Sequence, residues 1–219
     1  MAPNYVYCMP GMAASPKIFE LLDFPYPYKI KTLHWIPPEP GESLSAYAVR
    51  MCAFISDNNP ILLGVSFGGV LVQEMAKIIT VRKVIIVSSI KSREELPLAM
   101  KMAHRTKIHK LLPLQWIENI DALALFAFGS RLKERLDMYQ KYLSERDPDY
   151  LRWAIDALVH WQQKKPIFSV VHIHGDKDTV FPTKNLNQPV HIISGGHAII
   201  LTQAPWFNQQ LVDLISNDN

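Results

Sequence analysis

Ile61-Leu62-Leu63-Gly64-Val65 is an unbroken apolar run, and from Gly68 to about Ile79 the residues Leu71, Met75 and Ile78 fall on one helical face. Between the two stands Ser66, with Gly64 before it and Gly68 and Gly69 after it. A strand that enters a helix through so short a link must turn sharply. A serine on that turn needs neighbours with almost no side chain, which is the G-x-S-x-G pattern in its strand–helix context. The turn also presents the Ser66 hydroxyl at a helix N-terminus, where the dipole and free N–H groups favour developing negative charge. The plain alternative is an ordinary strand–helix turn with a capping serine; the double-glycine spacing favours a nucleophile.

The same rhythm extends along the first part of the chain. Tyr5 to Met9 reads as a buried strand ended by Pro10-Gly11, and Ser15-Pro16 opens a short helix carrying Ile18, Phe19, Leu21 and Leu22. Tyr28 to Ile36 alternates as a second strand, broken by Pro37, Pro38, Pro40 and Gly41. Ser43 is placed to cap a helix with Leu44, Tyr47, Met51 and Ile55 at helical spacing, and Val84 to Val87 is a fourth strand after Ile61–Val65. Strands this uniformly apolar belong to a parallel sheet covered on both faces, and the β-α-β-α alternation agrees.

Between Lys91 and about Lys165 the strand pattern lapses and helical patterns take over, the last running through Tyr150, Ala154, Ala157, Leu158 and Trp161. The expected organisation is a single domain over 1–219, with a small helical cap inserted at 91–149. Strands return at Phe168–Ile173 and Val190–Ile193, and Pro205 starts a final helix with Phe207, Leu211, Leu214 and Ile215 along one side.

Composition narrows the function classes. A net charge of +3, with 20% charged residues, is too small an excess for a nucleic-acid binder. No run of about 18 apolar residues occurs, so no membrane span is expected. Met1-Ala2-Pro3-Asn4 has no basic stretch leading into an apolar one, so no secretory signal is expected either. Cys8 and Cys52 show neither metal-ligand spacing nor a disulfide framework. A cytoplasmic protein with two reduced thiols is the expectation.

Ligands on open parallel sheets bind at the carboxyl ends of the strands. Seven of the nine glycines lie in four such loops: Gly11; Gly64, Gly68 and Gly69; Gly175; Gly195 and Gly196. A serine nucleophile needs a base, and the base needs an orienting acid. Downstream of Ser66, and each after a strand, come His174-Gly175-Asp176-Lys177-Asp178-Thr179-Val180-Phe181-Pro182 and then Ser194-Gly195-Gly196-His197. The order serine, acid, histidine is the one such folds use. Spacing alone leaves Asp176 and Asp178 both open as the acid.

From near residue 4 to near residue 216 the chain resembles the α/β-hydrolase superfamily. The acid loop is similar to its H-G-x-x-D-x-x-x-P pattern, here His174, Gly175, Asp178 and Pro182. The last loop is similar to its G-H followed by P-x-x-F-N, here Gly196-His197 and then Pro205-Trp206-Phe207-Asn208. The resemblance implies an α/β-hydrolase fold: a mainly parallel sheet of about six strands, helices on both faces and a small cap. It implies the triad Ser66, Asp178 and His197. Some relatives carry the acid after the strand that follows the nucleophile helix, but Ser88-Ser89-Ile90 has no carboxylate, which favours the later site. The first two strands common in the superfamily, one of them antiparallel, are expected to be missing here. The oxyanion donors would be the N–H of Phe67, next to the nucleophile, and the N–H of Met12. The superfamily's usual H-G in the latter loop is replaced by Pro10-Gly11, and a simple turn is the alternative there.

Other residues divide between two readings. His172 and His174 read as strand histidines with local partners rather than as the base. His34 and Trp35 fit either an acyl pocket or sheet-edge packing. Lys101, Arg105, Lys107 and Lys110, with His104 and His109, could draw an anionic substrate or be a solvated helix face. Trp116, Phe126, Phe128, Trp153 and Trp161 fit either a pocket roof or the cap's own core. The resemblance implies hydrolysis of a small-molecule carboxylic ester or thioester, without metal or organic cofactor. Acyl transfer or a lyase reaction on the same triad, and a non-catalytic binding protein, are the alternatives; oligomeric state is left open.

Overall fold

A computed structural model describes residues 3–106, 141–167 and 170–216. Six strands form one sheet: β1 (Asn4–Met9), β2 (Tyr28–Thr32), β3 (Ile61–Val65), β4 (Lys83–Val87), β5 (Val170–Gly175) and β6 (His191–Ile193). Their order is β2-β1-β3-β4-β5-β6 and every pairing is parallel. The expected sheet of about six mainly parallel strands is therefore observed, with no antiparallel member among the described residues.

The apolar strands still alternate, but between two cores instead of between core and water. Tyr7 and Met9 of β1, Leu62 of β3, and Val84 and Ile86 of β4 enter one core. Val6 and Cys8, then Ile61, Leu63 and Val65, then Ile85 and Val87 enter the other. The first core is closed by α1 (Leu44–Cys52), α2 (Phe67–Met75) and α4 (Pro148–His160), through Tyr47, Met51, Leu71, Met75, Leu151 and Leu158. The second is closed by α5 (Ile199–Thr202), α6 (Ala204–Ser216) and a 3-10 turn at Pro16–Phe19, through Ile18, Phe19, Ile200, Phe207, Leu211 and Ile215. At about 25 cal/mol per Å² of apolar surface removed from water, this burial is the main stabilising term.

Several boundaries differ from expectation. β2 stops at Thr32 instead of Ile36, after which Leu33 N–H still donates to Cys8 O at 2.9 Å and Trp35 folds into the first core. Regular helix in α2 ends at Met75 instead of Ile79, giving way to shorter turns such as Lys77 N–H to Glu74 O. β5 runs through Gly175, two residues past Ile173, while Phe168, its expected start, lies outside the described residues. Ser43 does cap α1: its hydroxyl accepts the Ala46 N–H at 3.2 Å.

Of the expected cap at 91–149, a 3-10 turn at Arg93–Glu95 and α3 (Leu98–Thr106) are described. Lys107, His109, Lys110, Trp116, Phe126 and Phe128 lie outside the described residues. No helix among the described residues is long and apolar enough to cross a membrane.

β1 has β2 on one side and β3 on the other, so the chain passes from β1 to β2 in one direction and then from β2 back across β1 to β3 in the other. The crossover between β1 and β3 is a topological switch point, and in open parallel sheets ligands bind beyond the carboxyl ends of the strands at such a point. The loops after β1 and β3 both leave the sheet there.

Candidate active site

Ser66 sits between β3 and α2 with φ 53° and ψ −121°, a conformation that a residue with a Cβ rarely adopts. The surrounding packing enforces it. A Cβ on Gly64 would lie 2.6 Å from Gly69 Cα, and one on Gly68 would lie 2.6 Å from Met9 O. The sharp turn therefore requires both glycines for close approach. Ser66 N–H donates to Val87 O at 2.9 Å, fixing the turn to the end of β4.

His197 follows β6 and bridges the other two loops. Its Nε2 lies 2.9 Å from Ser66 Oγ and its Nδ1 lies 2.8 Å from Asp178 Oδ2. Asp178 is almost wholly buried, and its Oδ1 accepts the N–H groups of Val180 at 2.8 Å and Phe181 at 3.0 Å. Burial alone would raise its pKa. The close approach of the His197 imidazole and the hydrogen bonds from His174 and His197 outweigh burial and hold the carboxyl far below the usual carboxylate range. An ionised Asp178 accepts only, so His197 Nδ1 carries the proton and Nε2 is free to accept from the Ser66 hydroxyl.

Asp176 has a different place. It is exposed, and its Oδ1 accepts the Gly195 N–H at 2.8 Å. With Asp176 N–H to Ile193 O at 2.9 Å and Lys177 N–H to Gly195 O at 2.8 Å, it laces the acid loop to the histidine loop. Gly175 passes so close to Gly195 and Gly196 that a Cβ there would meet their backbone.

His172 and His174 are buried on β5. His174 Nε2 lies 2.8 Å from Phe181 O and 3.1 Å from Asp178 Oδ2; both neighbours only accept, so this nitrogen carries a proton. His172 Nε2 lies 3.1 Å from His174 Nδ1. Burial, then the nearby His174 and Lys91, push His172 far below the ordinary histidine range, so it is neutral. The sequence marks both as histidines with local partners. Their link to Asp178 comes from the alternation along β5, which points residues 172 and 174 to the same face.

The loop after β1 lies against Ser66: a Cβ on Gly11 would sit 3.3 Å from Ser66 Cβ. This loop is clasped to the end of the 141–147 segment by Ser15 N–H to Tyr142 O at 2.8 Å and Glu145 N–H to Ala13 O at 3.0 Å. Of the residues considered for an acyl pocket, His34 is exposed and Trp35 is buried. The Trp35 ring stacks on Phe67 with centroids 5.3 Å apart and planes 11° apart. Trp153 packs on Tyr47 at 4.3 Å and its indole N–H donates to Glu42 O, so it belongs to the α1–α4 contact. Trp161 likewise donates to Glu74 Oε1 at 2.7 Å. In the basic stretch, Lys101 Nζ donates to Glu94 O, and His104 packs edge-on against His160 at 4.6 Å.

No protein-family model and no curated protein matches the sequence. Solved structures do match over nearly the full chain. The lipase-esterase related protein from Clostridium acetobutylicum is 19% identical, with a TM-score of 0.69 over 97% of this chain and 95% of that one. The enol-lactonase from Burkholderia xenovorans is 11% identical, with a TM-score of 0.71 over 99% and 93%. The bromoperoxidase from Bacillus anthracis is 17% identical, with a TM-score of 0.67 over 99% and 93%. Together with the all-parallel sheet and the turn at Ser66, these likenesses identify the architecture of this chain as the α/β-hydrolase fold.

Proposed function

We propose that the protein is a serine hydrolase that cleaves a small-molecule carboxylic ester or thioester through an acyl-enzyme on Ser66. The observation that carries this reading is the unbroken hydrogen-bonded path from Ser66 Oγ through His197 to the buried Asp178 carboxylate. A capping serine would have no use for an oriented imidazole on its hydroxyl. The esterase and lactonase names among the structural neighbours agree with it.

In the proposed reaction His197 Nε2 takes the hydroxyl proton as Ser66 Oγ bonds to the carbonyl carbon. The carbonyl π electrons move onto oxygen, and the N–H groups of Met12 and Phe67 hold that oxyanion. Asp178 stabilises the imidazolium. Collapse breaks the bond to the alcohol or thiol, which leaves with the proton from His197. Water then adds to the acyl carbon with His197 again as base, and the acid departs as Ser66 regains its proton. If a second alcohol or thiol replaces water, the same acyl-enzyme performs transfer, so the two outcomes differ only in the second nucleophile.

A fluorophosphonate probe is expected to label wild-type protein at Ser66, and Ser66→Ala is expected to lose both labelling and p-nitrophenyl ester turnover by at least about 10³-fold. Folded wild-type protein that neither labels nor turns over ester or thioester would make this a binding protein on a hydrolase scaffold. Product analysis with and without an added alcohol separates hydrolysis from transfer.

A further inference from the structure

A peptide unit is planar and trans, so its C=O and its N–H point in opposite directions. The two proposed oxyanion donors, Met12 N–H and Phe67 N–H, are therefore aimed by whatever holds the carbonyls of Gly11 and Ser66. Each carbonyl receives one local turn bond: Ala14 N–H to Gly11 O at 3.1 Å, and Gly69 N–H to Ser66 O at 2.9 Å. Each also receives one side-chain donor from a distant element. Trp35 Nε1–H reaches Gly11 O at 3.0 Å, and the Ser89 hydroxyl reaches Ser66 O at 2.7 Å.

We propose that Trp35 and Ser89 are positioning residues that set the direction of the two oxyanion donors, each by gripping the far end of the donor's own peptide unit. The inference rests on the serine-hydrolase reading above.

Both grips are built into strained or crowded places. Ser88, immediately before Ser89, has φ 47°, and Ala13, immediately after Met12, has φ 63°. Such backbone persists only where surrounding contacts over-determine it. Ser89 reaches the turn because residue 69 is glycine: a Cβ there would lie 2.6 Å from Ser89 Cβ. Trp35 is nearly inaccessible and cannot swing away, since its ring stacks on Phe67 and packs on Tyr150 at 5.2 Å. It thus touches both halves of the proposed hole: its N–H holds the peptide that carries Met12 N–H, and its ring face holds the side chain of Phe67. One rigid indole fixes the separation of the two donors. A hydrogen bond into a peptide carbonyl also polarises that peptide, which strengthens its N–H as a donor.

The oxyanion exists only in the tetrahedral intermediate and its flanking transition states, so the effect belongs in kcat and not in KM. The test compares wild-type protein with Trp35→Phe, Ser89→Ala and Ser89→Thr. The measurements are kcat and KM on a p-nitrophenyl ester, the inhibition constant of phenylboronic acid, whose adduct on Ser66 is tetrahedral, and the thermal midpoint. Deleting an oxyanion donor outright costs about 10²–10³-fold, so misaiming one is expected to lower kcat about 10- to 100-fold with KM within about threefold. Boronic acid inhibition should weaken in parallel with kcat, and Ser89→Thr, which keeps the hydroxyl, should recover most of the loss.

Folded variants with kcat and boronic acid inhibition within about threefold of wild type would overturn the inference, as would losses that follow the fraction unfolded at the assay temperature. Should Trp35→Phe fail to fold, the Ser89 pair decides alone. Ser66→Ala runs alongside: if it keeps turnover, the serine-hydrolase reading has failed, whereas a dead Ser66→Ala with unaffected Trp35 and Ser89 variants removes this inference only.

Discussion

Gly68 faces the carbonyls of Met9 and Pro10, and the first atom of any side chain there would collide with them. Gly68→Ala is therefore expected to destabilise the fold by roughly 2–4 kcal/mol, beyond the usual cost of an overpacked core site. Labelling of Ser66 should fall more steeply than stability, because the clash pushes on the turn itself. Denaturant midpoints and probe labelling of the folded fraction would check the two effects separately. The acid offers a second comparison at this scale. Asp178→Asn should lower kcat about 10³–10⁴-fold, since the amide leaves His197 without its carboxylate partner. Asp176→Asn should lower it less than about tenfold, since Asp176 accepts from the Gly195 backbone N–H and not from the imidazole, which is held by Asp178. Equal losses in the two variants would contradict the assignment of Asp178. Ser66 and His197 are legible in the sequence because glycines flank them. Spacing leaves Asp178 as one of two aspartates; the resemblance to the H-G-x-x-D-x-x-x-P pattern selects it, and in the structure it is the buried one while Asp176 is exposed. Ser89 stands out in sequence only as a place without a carboxylate; its hydrogen bond depends on the path of the backbone after β4, which no spacing rule encodes.

At the level of elements, α1 begins where Ser43 provides a hydroxyl for the Ala46 N–H. That bond satisfies one of the helix's unpaired donors, so Ser43→Ala is expected to lower global stability by about 1 kcal/mol and leave ester turnover unchanged. A urea melt would read it. The elements were largely legible because their signals are local: an apolar run, a cap, a proline. Their ends were less so. The alternation from Tyr28 to Ile36 persists past Thr32, yet the strand stops there and Trp35 turns inward to stack on Phe67. The competition between one more strand pair and a buried indole is settled by tertiary packing, which a period-2 pattern does not contain. For β5, the pattern ends the strand two residues early, at Ile173 instead of Gly175. The two histidines look polar in sequence, but in the fold they pair with each other and with the acid loop.

For the whole molecule, the coupling of β5 to the acid loop makes stability depend on pH. His172 is buried, and its pKa is held far below the ordinary histidine value by burial and by His174 and Lys91. Below about pH 6.5 the unfolded chain takes up a proton at this position that the native state refuses. The native state therefore loses stability as pH falls from there toward the lowered native pKa, by at most about 1.4 kcal/mol per pH unit from this group. His172→Gln should remove that contribution, so the gap in unfolding free energy between wild type and variant should narrow from pH 7.5 to pH 5. A gap that stays constant in urea titrations at the two pH values would show that His172 is not kept neutral. Asp178 works in the same direction at lower pH. Its depressed pKa gives stability that is complete above the ordinary carboxylate value and is lost as pH falls toward the native one.

The chain order also has a consequence for biosynthesis. Ser66 and His197 are 131 positions apart, which at ribosomal rates of about 5–20 residues per second corresponds to roughly 7–26 s. During that interval β1, β3 and β4 can pair and the strained turn can form, while the imidazole that would activate it has not been made. On the proposed serine-hydrolase reading, the emerging chain would carry an unactivated hydroxyl beside cellular esters, and acylation would become possible only when the last strand and its loop close over the sheet.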